Sequence, residues 1–206
     1  MLSLVVVIAL FGGTVAVLQS SKPGWWDRLW YPLRYEQIVR GHARHYDLDP
    51  ALLAAVIYQE SKFRADARSH SGAIGLMQLL PDTAKGIAVH TGGTQFRVDD
   101  LYDPEINVRY GAWYLRHLID KYGDERTALA AYNAGQDNVD RWRADGEGIQ
   151  FAETRAYVNR VEDLKAIYRR AYGSKLGGQP RNLRFRGWLE RRPPARARSR
   201  GLTDRW

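Results

Sequence analysis

The sequence predicts an all-α globular domain, and three observations predict it. Aspartate–proline pairs at Asp49-Pro50 and Asp103-Pro104 each supply a side-chain acceptor for a helix N-cap and a preset φ for the first helical residue. Gly123, Gly135 and Gly173 follow segments of helical apolar spacing, where a left-handed cap would end a helix. No stretch shows sustained apolar–polar alternation with hairpin turn signals.

In chain order, residues 2–18 (LSLVVVIALFGGTVAVL) carry no charge and no proline. As a helix they would reach about 26 Å, a little short of a hydrocarbon core of about 30 Å. Residues 1–20 are therefore expected to be a transmembrane anchor. The alternative is a cleaved signal peptide, against which no basic residue precedes the run and no convincing small-x-small cleavage site follows it. Residues 21–34 form a juxtamembrane linker in which Trp25, Trp26, Trp30 and Tyr31 suit a headgroup interface. Helices are then expected over Tyr35–Tyr46, from Asp49-Pro50 to about Lys62, from Asp82, from Asp103-Pro104 to Tyr122, over Asp124–Tyr132, and over Thr154–Tyr172. The last carries Val158, Val161, Leu164 and Tyr168 at helical spacing.

Composition narrows the function classes. The chain has 206 residues and no cysteine, which excludes a disulfide framework, a thiolate metal site, a cysteine nucleophile and a cysteine-borne lipid anchor. Its net charge of +8 is misplaced in the aggregate: nine Arg against Glu190 and Asp204 give residues 181–206 a charge of +7 and leave +1 for the rest. A nearly neutral body argues against nucleic acid as partner. Residues 174–206 are expected to be a basic, disordered tail that is either a solvated charge run or attaches to anionic lipid or acidic wall polymer.

One carboxylate stands out. At 100° per residue Leu53, Val56 and Ile57 each lie within about 60° of Glu60, so Glu60 falls on the stripe that should face the core. A carboxyl that loses hydration keeps its proton nearer neutral pH, as a general acid must. Its bland reading is a last-turn glutamate bent to solvent or paired with an arginine. Downstream, Ser69-His70-Ser71-Gly72-Ala73-Ile74-Gly75-Leu76-Met77-Gln78 offers glycines for sharp turns, an adaptable apolar contact and a two-way amide. Ala131-Tyr132-Asn133-Ala134-Gly135 joins a ring and an amide at a helix end, and Glu153-Thr154 with Tyr157-Val158 opens the final helix. Each piece alone also reads as packing or capping.

Together and in this order, Glu60-Ser61, Gly75-Leu76-Met77-Gln78, Ala131-Tyr132-Asn133-Ala134-Gly135 and Glu153-Thr154 with Tyr157-Val158 resemble the soluble lytic transglycosylase family, which is related to goose-type lysozyme. The resemblance covers about residues 32–173. It implies a lysozyme-like helical catalytic domain over 35–173, with a groove for peptidoglycan strands and cleavage of the β-1,4 bond between N-acetylmuramic acid and N-acetylglucosamine. Glu60 would be the catalytic residue, and Ser61, Ser69, Met77, Gln78, Leu80, Tyr132, Asn133, Glu153 and Tyr157 would bind or orient substrate. Leu80 departs from relatives that carry methionine there. No cofactor or metal is implied, and His42 and His45, three apart on a helix, are expected to face solvent.

The family mechanism uses one carboxylate: the acid protonates the glycosidic oxygen, the 2-acetamido group steadies C1, and the muramic acid 6-hydroxyl attacks it while returning a proton to the same residue. The product is a 1,6-anhydro end, made by a lyase rather than a hydrolase. Two alternatives stand beside it, a muramidase of the same fold that uses water and a wall-binding module that does not cut. Lys22 and Arg28 follow the apolar run and would favour a cytoplasmic body. The implied substrate instead places the catalytic domain on the cell-wall side of the membrane.

Overall fold

The computed structural model describes residues 24–93 and 95–177. Helices run α1 Gly24–Trp30, α2 Glu36–His45, α3 Pro50–Ser61, α4 Pro81–Thr91, α5 Pro104–Tyr122, α6 Glu125–Ala134, α7 Gln136–Ala144 and α8 Ala152–Leu176, with a 3₁₀ turn at Val98–Tyr102 before α5. Extended pairing among the described residues is confined to the isolated bridges Arg68–Ile74 and Ile74–Leu79. The expected all-α class is the observed one.

The aspartate caps form as their chemistry requires. The Asp49 carboxylate accepts from the Ala51 N–H at 2.8 Å, Asp103 from Glu105 and Ile106, and Asp124 from Thr127. Helix α4 departs from expectation: Pro81 is its first residue and Leu80 its uncapped N-cap, so Asp82 lies inside the first turn. Helix α8 runs through Gly173 to Leu176, because buried Tyr172 and Leu176 gain more from packing than the glycine loses by staying helical. The short α7 is held by buried Val139 and Trp142 alone, too few apolar positions to show a period in the sequence.

The central element is α3, flanked by α8 and α2. Ala51 through Ile57 are all buried, so this helix is covered on every side and has no polar face. The expected core stripe through Glu60 is thus replaced by an encircled helix that reaches partial exposure in its last turn, at Tyr58, Gln59 and Glu60. Part of residues 21–34 is α1, packed on the C-terminal half of α8 through Asp27–Arg170 at 2.7 Å and Arg28 Nε donating to the Ala171 carbonyl at 2.8 Å.

The main core gathers α2, α3, α5, α6 and α8, and a second, smaller one gathers Ile74, Leu79, Ala84, Ile87, Ala88, Leu101 and Tyr110. The segment between α3 and α4 spans the two. Asn107 of α5 fastens it: its Oδ1 accepts from Met77 N–H at 2.8 Å, and its Nδ2 donates to the Ile74 and Leu101 carbonyls at 2.9 and 2.8 Å. Asn107 is fully buried. Asn107→Ala would strand the Met77 N–H and the Leu101 carbonyl, while the Ile74 carbonyl keeps the Leu79 N–H, and a loss of about 3 kcal/mol is expected in urea unfolding.

No helix among the described residues is long and apolar enough to cross a membrane. The apolar run 2–18 and the Arg-rich tail beyond residue 177 lie outside the described residues.

Candidate active site

Glu60 stands one residue before the end of α3, where the chain turns through left-handed Lys62 and Phe63 (φ 54° and 60°) into the segment 64–80. That segment doubles back over the helix end. Ser61 Oγ donates to the Leu76 carbonyl at 2.8 Å, with the Ile57 carbonyl also in reach at 3.1 Å. Gly72 and Gly75 adopt φ near 82° and 81°, and Gln78 adopts φ 47°. Gln78 is held there by its own amide, whose Nε2 donates to the Ala67 and Gly75 carbonyls at 3.2 and 2.9 Å, leaving Oε1 as the group it can offer a ligand.

Two tyrosines from other helices close over the carboxylate. Tyr157 of α8 donates its hydroxyl to Glu60 Oε1 at 2.6 Å. Tyr132 of α6 donates to the Met77 carbonyl at 2.8 Å. Burial, and then the nearby Glu60 carboxylate, hold both phenols well above their ordinary ionisation range, so both act as donors. Burial likewise pushes the Glu60 carboxyl up to about 7, opposed by the Tyr157 hydrogen bond and the Lys62 ammonium. Neither of those opposing groups is a carboxylate. A carboxyl with this environment is half protonated near neutral pH and can both give and take a proton there.

The remaining expected residues sort by exposure. Ser61, 3% exposed, and Met77, fully enclosed, cannot touch a glycan as they stand. Of the expected roles of binding or orienting substrate, these placements suit orienting, Ser61 through Leu76 and Met77 through its backbone to Asn107 and Tyr132. Ser69 is partly exposed, with its Oγ accepting from Ala73 N–H at 3.0 Å and its proton left to donate. Leu80 is an exposed apolar side chain at the head of α4. Asn133 is exposed, and Thr154 Oγ1 donates to its Oδ1 at 2.8 Å, which leaves the Nδ2 donors on the amide's other side. Glu153 is exposed in the first turn of α8, one turn before Tyr157 on the same face. His42 does not face solvent freely but meets Glu105 Oε1 of α5 at 2.7 Å.

A separate cleft of about 350 Å³ is lined by Thr83, Ile87, His90, Trp113, Tyr114 and Gln136 among others. It does not include Glu60. The link is Tyr114, whose ring lies 5.6 Å from that of Tyr132. On the cleft wall the Trp113 ring is stacked with His90 at 5.9 Å and with His117 at 5.3 Å, at interplanar angles of 16° and 3°. Sequence reasoning missed this wall, as it missed Thr154 and Asn107. The signal was present: Trp113 and His117 are four apart on α5, and Asn107 is an amide on that helix's apolar face.

Tyr157→Phe removes the bond that lowers the Glu60 pKa and fixes its rotamer. The alkaline limb of activity is expected to move to higher pH while the rate falls by about 10–100-fold. A pH profile of kcat/KM checks the direction, and an unmoved limb would separate Tyr157 from the ionisation of Glu60.

Comparison with known proteins adds a match of residues 37–152 to the transglycosylase SLT domain family. A soluble lytic murein transglycosylase of Salmonella typhimurium is 33% identical over 183 aligned positions, covering 73% of this chain and 28% of that protein. A membrane-bound lytic murein transglycosylase F of Pseudomonas fluorescens is 32% identical over 159, covering 71% and 31%. The chain thus spans less than a third of the length of either relative. Among solved structures, an inactive glutamate-to-glutamine mutant of the lytic transglycosylase Slt from Pseudomonas aeruginosa superposes with a TM-score of 0.67 at 29% identity, covering 86% of this chain and 30% of that one.

Proposed function

The chain belongs to the transglycosylase SLT domain family, and from that premise we propose that it is a peptidoglycan lytic transglycosylase with Glu60 as its acid and base. The reading is carried by one observation: the Glu60 carboxyl, pushed up to about 7 by burial, accepts from the Tyr157 hydroxyl at 2.6 Å, and no second carboxylate is among the groups that shift it. Hydrolytic glycosidases in general use two carboxyls. With one, the proton given to the leaving oxygen must be recovered from the attacking hydroxyl.

In the proposed reaction protonated Glu60 donates to the glycosidic oxygen between N-acetylmuramic acid and N-acetylglucosamine, and the C1–O bond breaks. The 2-acetamido group of the sugar steadies the positive C1. Glu60, now ionised, accepts the proton of the muramic acid 6-hydroxyl as its oxygen bonds to C1, which closes the 1,6-anhydro ring without consuming water. Tyr157 keeps the carboxyl oriented in both halves. Gln78 Oε1, Ser69 Oγ, the Asn133 amide, Glu153 and Leu80 are the groups placed to meet sugars, and the Trp113 wall gives ring faces to stack on.

The same proposal places the domain on the cell-wall side of the membrane, with the apolar run 2–18 as anchor and the arginines of 181–206 as an attachment to anionic lipid or wall polymer. A membrane-bound relative supports the anchor by similarity.

Mass spectrometry of digested peptidoglycan tests the reaction. Muropeptides ending in the anhydro sugar are expected; fragments heavier by one water would make the enzyme a muramidase, and intact strands that nonetheless bind the protein would make it a wall-binding module.

A further inference from the structure

Helix α1 is built inside out. At 100° per residue Trp25, Trp26, Leu29 and Trp30 fall within about 140° of one another, and Asp27 and Arg28 fill the opposite side. A surface helix normally buries the apolar side. Here the charged side is turned to the body: Asp27 is 3% exposed, with its carboxylate on Arg170, and Arg28, itself exposed, reaches back to α8, while the four large apolar side chains are 44–69% exposed. They form one continuous face, with ring centroids 5.8 Å apart for Trp25–Trp26 and 6.5 Å for Trp26–Trp30.

The face cannot swing away. Arg28 donates to the Ala171 carbonyl at 2.8 Å and lies over the Tyr172 ring. The chain leaving α1 is held in turn, because Tyr58 donates to the Trp30 carbonyl, Tyr168 to that of Pro32 and Tyr172 to that of Tyr31, at 3.1–3.2 Å. Position matters as much as rigidity. The apolar run 2–18 ends five residues before α1, and the nine-arginine tail begins just after α8, to whose last turns α1 is fastened. The described residues begin at Gly24, the first residue of α1, and end at Gly177, one residue past α8.

We propose that this tryptophan face is a docking surface for the lipid headgroup layer of an anionic bilayer, which fixes the pose of the catalytic domain rather than merely tethering it. It rests on the reading of residues 2–18 as an anchor. Indole rings favour the headgroup level of a membrane, where an apolar body and an N–H can both be satisfied. The exposed patch is on the order of 500 Å². That exceeds what scattered surface side chains leave open and falls short of the roughly 800 Å² per partner of a stable dimer, so a second copy is the weaker occupant. The nine arginines of 181–206 add attraction to anionic lipid.

Because the chain has no cysteine, a single one can report the contact. The full chain carrying Leu29→Cys or, on the same face, Trp25→Cys is labelled with an environment-sensitive fluorophore and reconstituted into phosphatidylethanolamine–phosphatidylglycerol vesicles containing lipid spin-labelled near the headgroup. Val89→Cys, at an exposed site on α4, is the control. About a two-fold loss of fluorescence at positions 29 and 25, with none at 89, is expected for a helix lying 5–10 Å deep. If the protein floats with the vesicles but positions 29 and 25 are unquenched, the docking is overturned and the anchor stands. That outcome includes labels shielded by the chain itself or by a second copy. If the protein does not float, the anchor reading fails first and the docking with it.

Discussion

Glu60→Gln is expected to lower kcat/KM by about 10³-fold or more while raising the thermal stability of the protein at alkaline pH. The amide keeps the shape of the carboxyl and can still accept from Tyr157, so the glycan should still bind, as sedimentation with insoluble peptidoglycan would show. What it cannot do is give or take the proton, and general acid–base assistance is worth about 10²–10⁴ in rate. The stability effect follows from the direction of the pKa shift. Burial moves the folded carboxyl from near 4.5 to about 7. Below 4.5 both states are protonated and the site costs nothing. Between 4.5 and 7 the unfolded chain gives up a proton that the folded protein retains, and above 7 the folded protein bears the whole penalty, about 3 kcal/mol. Stability is therefore full at low pH and lost as pH rises through 7. The glutamine variant lacks that loss, so its Tm should exceed the parent's by about 5–10 °C at pH 8 and match it at pH 4. Parallel melting curves at both pH values would show that Glu60 is hydrated and remove the basis for its role. The rate profile carries a second signature. One carboxyl used as acid and then base gives an alkaline limb near 7 and no acidic limb of its own, whereas a two-carboxyl hydrolase gives a bell.

Gly75→Ala should be the most damaging small substitution in the segment that carries Gln78. Gly75 has φ 81°, where a side chain is strained, and a Cβ there would collide with the Asn107 amide and the Leu101 carbonyl. Asn107 cannot yield, because the same amide donates to Ile74 and Leu101 and accepts from Met77. The alanine therefore breaks the fastening of the whole turn, and a loss of more than about 4 kcal/mol is expected, a large part of a typical domain's stability. Gly72→Ala is the control. Its φ is nearly the same, 82°, but nothing lies within 4 Å of its missing Cβ, so backbone strain of about 1–2 kcal/mol is all it should cost. Urea unfolding of the two variants separates strain from collision, and equal costs would show that Asn107 does not impose the glycine.

What the sequence made legible follows from how local each signal is. The Asp49 and Asp103 caps and the Gly123 stop are decided within a turn of chain, and they stand as expected; Asp124, expected as the first residue of its helix, is the cap before it. Glu60 was legible as a carboxyl among apolar neighbours, although the stripe invoked for it does not exist, since α3 is covered all round. Its tyrosine partner lies 97 residues away, and no periodicity within one helix could pair them. The order of the motifs did so only through family resemblance. Ser61 and Met77 show the limit of that route: motif neighbours of a catalytic residue look like ligand contacts in a sequence, and burial turns them into supports. Helix α1 was missed for the opposite reason. Its apolar face is exposed and the one side chain it buries is the charged Asp27, so hydrophobic pattern read it as a membrane-facing linker between anchor and body. The charge that holds it down, Arg170, comes from the far end of the domain sequence.

Helix α8 has a property that belongs to rods rather than to sites. Tyr157 near its start touches the reactive carboxyl, and Ala171 near its end holds α1. Fourteen residues of unbroken helix separate them, about 21 Å. A flexible tether would let the blade wander through a range of heights, cutting wherever a strand came within reach. A rod clamped at both ends makes the height a constant of the molecule. With α1 resting on a bilayer, the cut falls no farther than that length from the seat along the rod, so the enzyme would act as a depth gauge for the innermost layer of the wall.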